Sequence, residues 1–213
     1  RFANAIKEVN NAKLVAVSSQ SNSKLDLFAS ENNINSDLRF NNYKSLAECK
    51  EIDAVYISTL NNTHSHLISL FAVNKKNILC EKPFCINIEE GGKIKKLIED
   101  NNVKFFEAIA YLSHPQTDEI LTLIKNDEIG EVNHIRSEFG FKVKKINPNS
   151  RLFNKELGGG AILDLGCYPI SFLSLFSKDN KNIIFNKCYV KKCNTNVDIE
   201  ANANLTINDK INC

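Results

Sequence analysis

Two side chains could between them move the proton of a hydroxyl group: the ammonium of Lys82 and the phenol of Tyr168. A phenol titrates at about 10 in water, so it works as an acid–base group only where a nearby cation such as Lys82 stabilises its anion. Removing a hydride from a carbinol carbon needs such a pair, because the hydroxyl proton must leave as well. Asp164 stands four residues before Tyr168; if the stretch is helical, the two share a face and can address one bound molecule, with the carboxylate orienting it. Each residue alone has a plainer reading, the tyrosine as a half-buried aromatic with its hydroxyl satisfied and the aspartate as a helix cap. Glu81-Lys82-Pro83 in isolation would be a surface turn. Here it closes the apolar run NILC (77–80), at the carboxyl end of a strand, where ligands of open α/β sheets bind. Pro83 holds Lys82 extended or permits a cis bond, and either fixes where the ammonium points.

The elements that must carry these groups fall into two rhythms. In the first half, strand-like and helix-like segments alternate at short intervals, as βαβ units do. Residues 13–18 (KLVAVS) predict a buried strand. Residues 23–32 predict a helix with Leu25, Leu27, Phe28 and Ala29 at helical spacing. Residues 53–59 give a second strand, 63–74 a helix, 77–80 a short strand, 88–100 an amphipathic helix with Ile94, Leu97 and Ile98 inward, and 103–108 another strand. After Tyr111 come one helix (115–126) and long strand candidates at 131–141, 183–192 and 199–207, alternating as in a sheet with one wet face. Between them lie the glycine-rich 157–166 and a short apolar helix, 167–176. The expected fold is therefore a doubly wound, Rossmann-type parallel α/β sheet over residues 1–110, followed by an α+β domain with a mostly antiparallel sheet over 111–213.

The G-x-G-x-x-G turn that seats pyrophosphate on a helix N-terminus is missing. Gly158 to Gly160 cannot replace it, since Leu163 stands at the third glycine position and no strand precedes it. Residues 2–9 read as the helix that would follow a first strand and its glycine turn. Those elements are expected upstream of Arg1, the second domain is expected to be truncated, and this piece alone is expected to be inactive.

Three stretches in order, residues 77–83 (NILCEKP), 107–116 (EAIAYLSHPQ) and 158–169 (GGGAILDLGCYP), resemble the glucose-fructose oxidoreductase and inositol dehydrogenase family, in particular its dihydrodiol and D-xylose dehydrogenase-like members. The resemblance spans nearly the whole chain, to Val197-Asp198. It implies a nicotinamide-dependent dehydrogenase acting on sugars, polyols or cyclic diols. By the same resemblance Lys82 reaches the nicotinamide ribose and the reacting hydroxyl, Glu81 lies along the cofactor, and Tyr168 is the tyrosine of sugar and diol members where inositol-type members place histidine. Thr59, Leu60, Asn61 and His64 follow the 53–59 strand, where the family lines nicotinamide and ribose, with Leu60 replacing the usual proline; they are also a good turn and helix start. Tyr111 and His114 occupy positions of a substrate-contacting tyrosine, arginine, aromatic, histidine run, in which Leu112 and Ser113 stand for the arginine and the aromatic. His114 before Pro115 could equally cap the next helix. A nucleotide-binding sensor or corepressor that keeps the fold without turnover is the alternative.

Cofactor preference is written at the end of the 13–18 strand. An NAD site places a carboxylate there for the ribose 2′-hydroxyl; this chain offers Ser18, Ser19 and Gln20, which favours NADP over NAD, although Gln20 stands where the family's NADP-binding arginine falls. Net charge is +2, with 27 basic and 25 acidic residues interspersed, so no basic footprint for nucleic acid is present. No uninterrupted apolar run approaches the ~20 residues that span a bilayer. Seven scattered cysteines without C-x-x-C spacing, and no His, Cys and carboxylate set at ligand spacing, argue for a reducing cytoplasm and no catalytic metal. The expected partners are a small-molecule sugar or polyol and, in the full-length protein, a second copy forming a homodimer or higher oligomer.

Overall fold

A computed structural model describes residues 1–177 and 182–213. Its contacts divide the chain into two compact units, and these interleave along the sequence. The first comprises Arg1–Ile57, Ser65–Cys80 and Glu89–Phe106, and the second Ser58–His64, Glu81–Ile88 and Glu107–Cys213.

The strands and helices of the amino-terminal half follow the βαβ rhythm. They are α1 (Phe2–Ala5), β1 (Val17–Ser18), α2 (Asn22–Glu31), β2 (Arg39–Phe40), α3 (Tyr43–Glu48), β3 (Ala54–Ile57), α4 (Asn61–Val73), β4 (Asn77–Cys80), α5 (Ile88–Asn101) and β5 (Phe105–Glu107). β1 pairs with β2 in parallel, and β3 pairs with β4 in parallel from Ala54 beside Asn77 to Ile57 beside Cys80, with β5 on the far side of β4. The core of the first unit comes from the inward stripe of α4 (Leu67, Ile68, Phe71 and Ala72) with Ile57, Ile78 and Ile94, all buried. Asn33 and Asn102 take left-handed backbone conformations just past α2 and α5, which lets those helices stop without proline.

Two expectations change here. The strand read over 13–18 shrinks to Val17–Ser18 and is only half-buried, because β2 alone pairs with it among the described residues and a ladder with one partner covers one edge. Leu27 is exposed, whereas Leu25 and Ala29 are buried; residues two apart on a helix lie on nearly opposite faces, so Leu27 could not share the inward stripe.

In the second unit α6 (Pro115–Lys125) and α7 (Cys167–Ser174) accompany an antiparallel sheet of β6 (Ile183–Lys192), β7 (Asp198–Ile207) and β8 (Ile211–Asn212). Leu173 of α7 packs with Ile135, Leu205, Ile207 and Ile211, and Phe172, Phe176 and Ile183 close around them. The rest of the sheet is not covered as a one-wet-face reading expects: Ile184, Phe185, Tyr189, Val190 and Ile199 stay exposed. Length explains it, since the eight residues of α7 reach about 12 Å while the ten of β6 extend about 34 Å.

The strand expected over 131–141 does not form among the described residues. His134 makes a single bridge to Asn212, flanked by hydrogen bonds from Ile135 N to Asn212 O (2.9 Å) and from Asn212 N to Asn133 O (3.1 Å). β8 is two residues long, so the alternating pattern finds no longer ladder to join. The 20-residue stretch Lys155–Ser174 is long and apolar enough to cross a membrane by those two criteria. Its backbone, however, is a 3-10 turn, a glycine break and a π turn before α7 begins, and it carries the ion-paired Asp164. A spanning helix satisfies its backbone internally and avoids such charges, and this broken, ion-paired segment does neither.

Candidate active site

The second unit brings Lys82, Asp164 and Tyr168 together. Lys82 follows β4 in the chain and its peptide to Pro83 is cis. Its ammonium donates to the Asp164 backbone carbonyl and to Asp164 Oδ1 at 3.1 Å, and it lies 5.3 Å from the centroid of the Tyr168 ring, within cation–π range. Lys82 and Asp164 are both largely buried.

Asp164 reaches this position because the chain widens into a π turn, Ile162–Gly166, before α7 starts at Cys167. Such turns concentrate at functional sites, since the extra residue shifts side chains around the axis. The start of the turn is fixed from β7: Asp198 Oδ2 accepts the Ile162 N–H at 2.6 Å. Gly160, at φ +124°, packs against the Asp198 carboxylate so closely that a Cβ there would overlap it. Arg151, which the sequence reading missed, donates to the same Asp164 Oδ1 at 2.9 Å. Burial alone would raise the Asp164 carboxyl, but the hydrogen bonds and charges of Arg151 and Lys82 outweigh it and hold it below its ordinary value.

Tyr168 differs from the expectation. Burial pushes its phenol up; Lys82 pulls it down as anticipated, but the net direction is upward, with Cys167, Glu81 and Asp164 adding to the rise. The ammonium sits over the ring, and its charge is already shared with Asp164. A cleft of about 230 Å³ opens beside Tyr168, lined by Tyr111, Ser137, Glu138, Phe139, Pro169 and Phe172 as well. Phe139 meets the Tyr168 ring edge-on at 5.1 Å. The wall is thus mostly aromatic, with Ser137 and Glu138 as polar groups, the latter ion-paired to Arg136 at 2.9 Å.

The other expected site residues take varied positions. Tyr111 lines the cleft while its hydroxyl bonds Ser171 Oγ at 2.8 Å. His114 is the exposed N-cap of α6, its Nδ1 accepting the Gln116 N–H at 3.1 Å. Thr59 Oγ1 bonds Thr63 Oγ1 at 2.6 Å, Leu60 is exposed, and Asn61 Nδ2 donates to Gly158 O at 3.0 Å. His64 is fully buried, with Nδ1 2.8 Å from Pro83 O and Nε2 3.2 Å from Thr59 O, so it ties the Lys82 loop to the one after β3. Glu81 precedes Lys82 in the same loop.

In the first unit, Ser18, Ser19 and Gln20 close β1. Ser18 Oγ is buried without a hydrogen-bond partner among the described residues, while Ser19 Oγ accepts the Ser21 N–H at 3.2 Å and Gln20 is exposed. These residues set hydroxyl and amide groups, and no carboxylate, at the carboxyl end of β1. Among the described residues no three His, Cys, Asp or Glu side chains cluster as a metal site requires.

A parallel, nucleotide-type half is thus followed by a half built on an antiparallel sheet, and the second unit brings a lysine, a carboxylate and a tyrosine together. Residues 1–109 match the family described as "Oxidoreductase family, NAD-binding Rossmann fold", and residues 118–211 match its GFO/IDH/MocA C-terminal domain. The chain belongs to the GFO/IDH/MocA family. It is 34% identical over 163 residues to trans-1,2-dihydrobenzene-1,2-diol dehydrogenase of Xenopus tropicalis, covering 76% of this chain and 48% of that protein. To D-xylose 1-dehydrogenase (NADP(+)) 2 of Haloferax volcanii it is 31% identical over 137 residues, 64% of this chain and 42% of that one. Among solved structures, KijD10, a 3-ketoreductase from Actinomadura kijaniata in complex with TDP-benzene and NADP, superposes with a TM-score of 0.83 at 22% identity, over 100% of this chain and 62% of that one. The chain spans about half the length of the curated relatives it matches.

Proposed function

We propose that this chain is part of an NADP(H)-preferring oxidoreductase that moves hydride between a nicotinamide and a carbinol or carbonyl carbon of a sugar, polyol or cyclic diol. The observation that carries the reading is the meeting of the largely buried Lys82 and Asp164 with the half-buried Tyr168 beside an aromatic-walled cleft. The nicotinamide, when bound, supplies the hydride or receives it. Tyr168 exchanges the substrate hydroxyl proton, Lys82 offsets the developing phenolate, and Asp164 holds Lys82 in place and orients substrate. The aromatic wall of Tyr111, Phe139 and Phe172 offers ring faces on which a substrate ring packs.

On the cofactor side, Glu81, Lys82, Thr59, Leu60, Asn61 and His64 form or support the nicotinamide end, while Ser18, Ser19 and Gln20 receive the adenosine ribose. The lack of a carboxylate beside Ser18, Ser19 and Gln20 supports NADP over NAD, and the named cofactors of the xylose dehydrogenase and of KijD10 point the same way. Residues 1–110 act as the nucleotide domain and 111–213 as the substrate and dimerisation domain. The uncovered apolar residues of β6 and β7 support a homodimer of the full-length protein, and seven free cysteines support a cytoplasmic location.

One observation favours the sensor alternative: the Tyr168 phenol is pushed up on balance. A cofactor-absorbance assay of the full-length protein with NADPH and NADH, across aldoses, polyols, ketoses and cyclic diols, decides between them. Turnover of at least one ring substrate, faster with NADP(H), is the expected result. Cofactor binding without turnover of any substrate supports the sensor and refutes the enzyme.

A further inference from the structure

Lys82 is useful only where its ammonium points, and its loop is held from two sides by residues that do not touch the ammonium. On one side His64 contacts the Pro83 carbonyl. On the other, Glu107 at the end of β5 accepts the Phe84 N–H on Oε1 at 3.0 Å. All three segments belong to the second unit. We propose that Glu107 is a positioning residue for Lys82: by holding the Phe84 amide it fixes the Lys82-Pro83-Phe84 turn, and so the reach of the ammonium to Asp164 and the Tyr168 ring.

A half-buried carboxylate is a costly way to satisfy one amide, and its surroundings show the cost. Burial pushes the Glu107 carboxyl up, while the Phe84 amide bond and the proximity of His64 and Lys82 pull it down. Glutamine could offer the same acceptor without that penalty, so the geometry, not the charge, is the part that positions Lys82. Displacing a catalytic group by about 1 Å costs up to ~100-fold in rate, which gives a second-hand contact this much leverage.

This inference rests on the functional reading above, so its test includes a measurement independent of turnover. In the full-length protein, Glu107→Gln, Glu107→Leu and Glu107→Asp are compared with wild type in two ways. The first is the ultraviolet tyrosinate titration of Tyr168, isolated by subtracting Tyr168→Phe. The second is kcat and KM for whichever substrate turns over. Glu107→Leu is expected to move the Tyr168 titration upward, as Lys82 drifts from the ring, and to lower kcat about tenfold or more with the cofactor KM within about twofold. Glu107→Gln keeps the acceptor and should match wild type in both readings. If Glu107→Leu is recovered unfolded, Glu107→Asp, one methylene short of the Phe84 amide, gives the same readings with the charge retained. A Leu or Asp variant that behaves as wild type, or a Gln variant as impaired as Leu, overturns the proposal. Absent turnover in wild type refutes the enzymatic reading alone, because the titration shift then still reports on Glu107.

Discussion

Asp164 is the point where the electrostatics of the site can be measured most simply. Replacing it by asparagine keeps shape and leaves an acceptor for Lys82 and Arg151, but strips two nearby cations of their shared anion. At the observed 2.9 and 3.1 Å separations each charge pair is worth about 5 kcal/mol before desolvation at an effective dielectric of ~20. Arg151 is half in water and Lys82 keeps the Asp164 backbone carbonyl, so the expected net loss at neutral pH is about 2–3 kcal/mol. Because the folded carboxyl lies below its ordinary value, its stabilisation is complete above the unfolded carboxyl's titration at about pH 4. It is lost as pH falls through the lowered folded value. Asparagine does not titrate, so the stability gap between wild type and Asp164→Asn should be widest at neutral pH and close on acidification. Urea unfolding followed by circular dichroism at steps between neutral and about pH 3 reads this directly. A gap independent of pH, or none at neutral pH, would refute the argument that a shared anion organises the site.

The left-handed Gly160 pressed against Asp198 makes Gly160→Ala destabilising by about 3 kcal/mol or more. Part of that loss should return in the Gly160→Ala, Asp198→Ala pair, as thermal melts will show. Placing a carboxylate at the end of β1 through Ser18→Asp should swing the kcat/KM ratio from NADP toward NAD by about tenfold or more. An unchanged ratio would remove the adenosine ribose from that position.

Where the residues sat in a periodic element, the sequence announced them. β4 and β6 run over the residues their apolar patterns marked, and the approach of Lys82 to Tyr168 was readable because each lies in a motif beside such an element, whereas the ion pair of Lys82 with Asp164 was not. Arg151 was not readable: it comes from an irregular loop, and nothing about a single arginine thirteen residues before Asp164 names its partner. Glu107 stood inside a quoted motif, yet its only signal was an acid at a strand end. His64 could be seen as a loop residue, but not that its ring would be enclosed between two backbone carbonyls. The 131–141 segment failed for the opposite reason: its alternation is real, but strand formation needs a partner ladder, and β8 offers only a single bridge. The direction of the Tyr168 shift also escaped, because burial and the acids that share Lys82 are properties of packing.

In the proposed mechanism Lys82 and Tyr168 act as one unit, and a double-mutant cycle on kcat/KM measures that directly. Lys82→Met and Tyr168→Phe should each cost about 100-fold or more, and the double variant should be little slower than the slower single one. Losses that multiply, or either single variant turning over as wild type does, would contradict it.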